Sequence, residues 1–275
     1  MATDIIKSPT PFRYPGGKTK MLKYIRPYYQ ELLGGATGFC DMFCGGASIA
    51  LDIAKLYPNM PIYLNDKDER VAAFWSIVVS DDISDLLSMV DIVPTIGMFN
   101  DRRTHKSETA LDKAFDAIFF NRTTFSGLLE SGPIGGKNQA GKYKIDCRYM
   151  VPSLIKKIIK CNLYLKGRTT VTCLDFEQHD AWKNPDIAIV LDPPYFAMGN
   201  ALYKCKMTNK DHHRLESCVR HRDKWLMTID DCQFIRDLYS DYDIYEINVK
   251  YMINSIPKYK VELFIKKAKK DGAGN

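Results

Sequence analysis

The stretch Ile187 to Asn200, IAIVLDPPYFAMGN, constrains the fold more than any other part of the chain. A short apolar run with β-branched members has the pattern of a strand buried on both faces. Pro193 and Pro194 then stop it, because proline brings no backbone donor to a ladder and holds φ near −65°. The carboxylate of Asp192 and the ring of Tyr195 are left on a stiff corner at the strand's C-terminal edge, the edge where open α/β sheets bind ligands. A polar strand end followed by a plain Pro-Pro turn would look the same in isolation. The flanking sequence decides between them.

That flanking sequence alternates between strand and helix patterns. GFCDMF (38–43) and PIYLND (61–66) read as strands, and ASIALDIAKL and ERVAAFWSIV as the helices that follow them. MLKYIRPYYQELL carries a helical stripe interrupted by Pro27. Farther on, TTVTCLD, IAIVLD, KWLMTID, YDIYEINV and KVELFI all read as strands, and CQFIRDLY as a helix. Thr208 and Asp211 form a capping-box pattern before HHRLESCV, with Asp in place of the usual Glu. Strands joined by helical crossovers predict an α/β fold with a seven-stranded, mostly parallel, doubly wound sheet. The last two strands lie too close for a helical crossover and should form a C-terminal antiparallel hairpin.

Residues 80–168 break the alternation. They hold a helix, ETALDKAFDAIFF, then the Gly-rich FSGLLESGPIGGKNQAGKYKID, which suggests a hairpin or long loop, then a basic helix, SLIKKIIKCNLYL. The expected organisation is a catalytic domain from 1–79 and 169–275 with a mainly helical domain, 80–168, inserted into it. A chain of 275 residues is long enough for that arrangement. The net charge of +6 is concentrated here: Ser131 to Thr170 holds nine Lys or Arg (137, 142, 144, 148, 156, 157, 160, 166, 168) against one acid, Asp146. Such an excess suits a polyanion, and a solvated helix face is the plainer alternative. KKAKK at 266–270 reads as a solvated C-terminal tail.

No segment reaches the roughly 18 apolar residues of a membrane span, and MATDIIKSPTPFRYPGGK lacks the apolar core of a secretory signal, so a cytoplasmic protein is expected. The eight cysteines include no C-x-x-C pair and several lie in apolar runs such as GFCDMFC and VTCLDF, which suits reduced, structural thiols. Cys205, His212, His213, Cys218 and His221 cluster in the chain, but their spacing fits no usual zinc pattern, and no metal is expected.

DMFCGGAS (41–48) falls where the first strand turns into a helix, so its glycines would let backbone approach a ligand and Asp41 could accept from a polar or cationic group. It lacks the G-x-G-x-x-G spacing of dinucleotide binders. YLNDKD ends the second strand with an acid placed to hold a ribose hydroxyl pair. FRYPGGKTK imitates the end of a phosphate loop, but that loop needs glycine at position 12, which is Phe12, and a preceding strand.

Together, FRYPGGK, DMFCGGAS, YLNDKD, FFNRTTFSG and DPPY, in this order and at these separations, resemble the Dam-type (D12 class) adenine-N6 DNA methyltransferases, from about Pro11 to Lys266. Two positions depart from the family's pattern: Asp41 where Glu is common, and Ala47 where many members carry a further Gly. The resemblance implies S-adenosylmethionine as cofactor and double-stranded DNA as substrate, for a bacterial or phage-encoded enzyme acting as a monomer or weak dimer. It makes 80–168 the target-recognition domain. Tyr14 and Lys18 would contact the cofactor, Asp41, Phe43 and Gly45 would wall its methionine side, and Asp66 would bind its ribose. Asp175 and Phe176 would meet its adenine. Arg122, Thr123, Phe125, Ser126 and Gly127 would meet DNA, and the basic segment adds Lys137 and Lys142.

The catalytic corner would be Asp192, Pro193, Pro194 and Tyr195. Adenine's exocyclic amine is a poor nucleophile, because its lone pair is delocalised into the ring. The Asp192 carboxylate and the Pro193 carbonyl could each accept one N–H, while Tyr195 offers a stacking face. The base would have to leave the duplex, at about a few kcal/mol. The loop from Phe196 to Met207 would close over it. Two alternatives stand beside this reading: a cytosine-N4 methyltransferase, whose amine poses the same problem, and a non-catalytic DNA-binding module on the same fold.

Overall fold

A computed structural model describes residues 9–13, 18–195, 207–253 and 256–268. Seven strands form one sheet: β1 (Gly38–Asp41), β2 (Ile62–Asn65), β3 (Thr169–Thr172), β4 (Ile187–Leu191), β5 (Trp225–Asp230), β6 (Asp243–Ile253) and β7 (Ile256–Lys266). Their order is β3-β2-β1-β4-β5-β7-β6. The first five strands are parallel, and β7 returns antiparallel between β5 and β6. The expected C-terminal hairpin is β6–β7, in register from Asp243↔Lys266 to Ile253↔Ile256. Chain progression reverses between β1 and β4, which pair directly, so the crevice at their C-terminal ends is the switch point where such sheets bind ligands.

The β-branched strand β4 is buried at all five positions, as its two-sided apolar pattern requires. Its side chains alternate between faces. Ala188 and Val190 join a cluster with Phe39, Ile49, Leu51, Phe74 and Trp75, whereas Ile189 and Leu191 join Cys40, Leu215, Trp225, Met227 and Tyr239.

The helices are α1 (Leu22–Ile25), α2 (Tyr29–Leu33), α3 (Ser48–Leu56), α4 (Glu69–Val79), α5 (Ile83–Val90), α6 (Ile96–Thr104), α7 (Ala110–Thr123), α8 (Val151–Leu165), α9 (Asn209–Val219) and α10 (Gln233–Leu238). Pro27 interrupts the first helical stripe as a 3-10 turn between α1 and α2. Thr208 and Asp211 cap α9 reciprocally, the box read in the sequence. No helix among the described residues is long and apolar enough to cross a membrane.

Residues 80–168 contribute α5 to α8. Phe115, Phe119 and Phe120 of α7 and Leu154 and Ile158 of α8 enter the same apolar cluster as Phe74 and Trp75 of α4. The core therefore continues from the sheet into this segment. Its Gly-rich stretch is an irregular loop, with turns and a single bridge, Thr124↔Pro133.

Four local expectations are corrected. β1 ends at Asp41, so Met42 and Phe43 leave the strand. Arg168 is no polyanion contact: its guanidinium donates to the carbonyls of Ala54 (2.5 Å), Tyr57 (2.8 Å) and Tyr164 (2.9 Å), closing the C-terminal end of α3. Lys266 is not in a solvated tail but buried at the end of β7, 2.8 Å from Glu31. Cys173, placed in an apolar-looking run, is exposed.

Candidate active site

The corner after β4 gathers side chains from four places in the chain. Lys18, in the 3-10 turn Lys18–Lys20, lies 3.0 Å from Asp192 Oδ1 and 3.1 Å from Glu262 Oε2 of β7. Its ammonium also donates to the Tyr195 hydroxyl at 2.9 Å and sits 4.9 Å from that ring's centre. The Tyr195 hydroxyl donates to Glu262 Oε1 at 2.7 Å. Thr228 of β5 donates to Asp192 Oδ1 at 3.2 Å. Lys18 is 5% exposed, whereas the Asp192 side chain keeps 26% of its surface open to the crevice. Burial pushes the Asp192 carboxyl above the ordinary aspartate range, and Lys18 pulls it back toward the ionised form.

Asp41, at the end of β1 across the switch point, is buried with its carboxyl facing the N-terminus of α3 at Ala50. Burial first, then the charges of Asp192 and Asp66, push its pKa up to about 8. Asp66 follows β2. Its carboxylate accepts from the backbone N–H groups of Gly45 and Asp68, each at 2.9 Å, and burial raises its pKa to about 6 against those bonds. The glycine turn between β1 and α3 is left-handed at Gly45 (φ 44°) and at Ala47 (φ 49°). Ala47 thus occupies a conformation that glycine adopts without steric cost.

Asn65 ties three strand ends together. Its Nδ2 donates to the carbonyls of Met42 and Leu174, both at 3.1 Å, and its Oδ1 accepts from the Thr172 hydroxyl and the Leu174 N–H. Beside it the Phe43 and Phe176 rings lie 5.7 Å apart, with the Arg214 guanidinium 4.9 Å over Phe176. Asp175 is held by Lys67 at 2.8 Å and Arg214 at 2.7 Å, and those bonds keep its carboxyl low despite partial burial.

The FFNRTTFSG segment is partly buried and partly exposed. Asn121 clamps Arg13: it accepts from the Arg13 N–H at 2.7 Å and donates to the Arg13 carbonyl at 2.8 Å. Gly127 (φ 75°) packs against the same backbone. Arg122 is only 8% exposed. Burial and the nearby charge of Arg13 lower its pKa to about 10. Arg122 Nε and Arg13 Nη1 are buried without a hydrogen-bond partner among the described residues. Thr123 is fully buried, bonded to the Phe119 carbonyl of its own helix. Phe125 projects at 69% exposure and Ser126 turns left-handed beside it (φ 58°). Lys137 and Lys142 are exposed on the loop.

The structure thus brings Lys18, Asp192 and Tyr195 together at the switch point, with Asp41 and Asp66 close by, and pairs Phe43 with Phe176. Tyr14 and the loop 196–206 lie outside the described residues. Glu262, Thr228 and Asn65 were not singled out in the sequence. Glu262 and Thr228 look like the polar half of ordinary strand alternation, and Asn65 like a polar strand end.

A sheet of this order with an Asp-Pro-Pro-Tyr corner at its switch point defines a methyltransferase of the kind that acts on nucleobase amines. The chain belongs to the family described as D12 class N6 adenine-specific DNA methyltransferase, whose model matches residues 14–253. It is 25% identical over 251 residues to "Type II methyltransferase M.CviBI" of Paramecium bursaria Chlorella virus NC1A, covering 87% of this chain and 89% of that protein. It is 23% identical over 272 residues to "Type II methyltransferase M.MjaIII" of Methanocaldococcus jannaschii, covering 88% and 91% respectively. The protein is therefore an enzyme that transfers a methyl group from a donor to the N6 amine of adenine in DNA. The cytosine-N4 and binding-module alternatives give way to this assignment.

Proposed function

We propose that methyl transfer takes place over the Asp192 corner, with S-adenosylmethionine as donor and a flipped-out adenine as acceptor. One observation carries the reading. Asp192 Oδ1 is occupied by Lys18 and Thr228, while Oδ2 has no hydrogen-bond partner among the described residues and belongs to the side chain that opens on the crevice. An amine hydrogen can be received there. The neighbouring ammonium favours the carboxylate form, the one that accepts without donating. The Pro193 carbonyl would take the second hydrogen, and Tyr195 would hold the base plane. The two acceptors draw the nitrogen lone pair out of conjugation, by orientation and preorganised charge.

The residues present fit the proposed cofactor. Burial raises the carboxyls of Asp41, Asp66 and Asp192, and the charges of Asp192 and Asp66 raise Asp41 further, so a cationic ligand is favoured beside them. Asp66, just after β2, would hold the ribose hydroxyls; Phe176 would hold the adenine with Asp175 at its edge, and Phe43, expected on the methionine side, would join Phe176 there because their rings lie 5.7 Å apart. Tyr14, Lys18 and Gly45 would complete the methionine side. When bound, the cofactor supplies an electrophilic methyl group.

For DNA, the Arg13–Arg122 pair supports a phosphate contact, because two neighbouring guanidinium charges favour an anion at whatever part of them is accessible. Phe125, Ser126, Lys137 and Lys142 offer exposed contacts, and Thr123 and Gly127 shape the turn that presents them. Residues 80–168 would then serve target recognition. The names of the two relatives favour a sequence-specific type II activity, and a monomer or weak dimer acting on cytoplasmic DNA suits that role.

The test is methyl transfer into unmethylated plasmid DNA with labelled S-adenosylmethionine, followed by nucleoside mass spectrometry. Wild type should yield N6-methyladenine. Asp192→Ala should lose transfer by about a thousandfold or more, since both orientation and charge stabilisation go, while calorimetry still detects cofactor binding. Transfer by that variant at near the wild-type rate would refute the role given to Asp192.

A further inference from the structure

The corner contains a buried carboxylate, Glu262, that this chemistry does not use. Glu262 is fully buried in β7, paired across the sheet with Asp230 of β5 and Ile247 of β6. A carboxylate withdrawn from water is costly unless it is well paired, so its partners show what it is kept for. Both oxygens are engaged at the active corner. Oε1 accepts the Tyr195 hydroxyl at 2.7 Å and Oε2 accepts the Lys18 ammonium at 3.1 Å. Lys18 closes the triangle by donating to the Tyr195 hydroxyl at 2.9 Å.

Two consequences follow from that triangle. The Tyr195 ring is held at its backbone end by the Pro193-Pro194 corner and at its hydroxyl end by Glu262 and Lys18, so its long axis stays in one place. The Lys18 ammonium is shared almost equally between Glu262 and Asp192 Oδ1, at 3.1 and 3.0 Å. That keeps it on one oxygen of Asp192 and off the other.

We propose that Glu262 is a positioning residue for methyl transfer, which places the Tyr195 ring and the ammonium of Lys18 so that Asp192 presents Oδ2 to the target amine. Its side chain is fully buried behind Tyr195 and Lys18, so it would act through them. The inference rests on the reading of Asp192 and Tyr195 given above.

Glu262→Gln preserves shape but puts an amide donor where two donors already converge, and so breaks the triangle. Expected is a fall in kcat of about ten- to a hundredfold, the range for a misplaced reacting group, with KM for plasmid DNA within about threefold of wild type. Tyr195→Phe keeps the stacking ring and removes only the tether, and should lose kcat comparably. Because both substitutions cut the same link, the double variant should be no slower than the slower single one. Wild-type kcat in Glu262→Gln, or single losses that multiply in the double variant, would overturn the proposal. If thermal melting shows that Glu262→Gln does not fold, Tyr195→Phe decides alone: unchanged kcat overturns it. Asp192→Ala, assayed in parallel, separates the two levels. An inactive Asp192→Ala beside a fully active Glu262→Gln removes only the role of Glu262, whereas an active Asp192→Ala removes both.

Discussion

Asp41 shows what the site costs the fold. Its carboxyl, with an ordinary aspartate pKa near 4, is pushed to about 8 in the folded chain by burial and by the charges of Asp192 and Asp66. A folded pKa above the unfolded one means that the native state binds the proton more tightly. The associated stability is present in acid and is lost as pH rises toward 8. Asp41→Asn keeps a carbonyl oxygen toward the Ala50 N–H and removes the charge. Melting curves should therefore show little gain in Tm at pH 5 and a growing gain by pH 8, at about 2–4 °C per kcal/mol in a chain near this size. An equal gain at every pH would show that the charge is not the cause. At this scale Asp192 and Tyr195 were legible because a proline pair dictates the backbone around them. Glu262 was not. Its partner Lys18 lies 244 positions away, and nothing local distinguishes a buried glutamate in an alternating strand from a solvated one.

The turn that follows α7 illustrates how elements hold each other. Asn121 and Gly127 grip the backbone at Arg13, and a Cβ on Gly127 would lie 2.2 Å from the Arg13 carbonyl oxygen. Gly127 also sits at φ 75°, where side chains are strained. Gly127→Ala should destabilise the protein by about 1–3 kcal/mol in urea titrations. It should also weaken duplex DNA binding in fluorescence anisotropy, because Arg13 shifts relative to Arg122; unchanged affinity would argue against their joint contact. Most elements could be read from periodicity, including the hairpin, α7 and α8. Helices α5 and α6 could not. Each buries too few side chains to write a stripe: Leu86 and Val90 in α5, and only Phe99 in α6. Their positions depend on tertiary packing of those few side chains into the common core.

On the scale of the whole molecule, the helices of 80–168 share their core with the sheet, so the chain should melt as one unit. Phe119 is fully buried, with ring centres of Phe115, Phe120 and Tyr149 at 5.4, 5.5 and 6.2 Å. Phe119→Ala should cost about 3–5 kcal/mol and move a single calorimetric transition to lower temperature. A second transition at unchanged temperature would mean that the two segments fold independently. The strands, the proline corner and the glycine turn follow from steric rules that act within a few residues, and they could be read from the chain alone. The Lys18–Tyr195–Glu262 triangle, the Arg13–Arg122 pair and the common core depend on which segments become neighbours. That choice was made by the sheet order, with β7 inserted between β5 and β6, because long-range pairing is selected by burial and polar satisfaction across the whole fold.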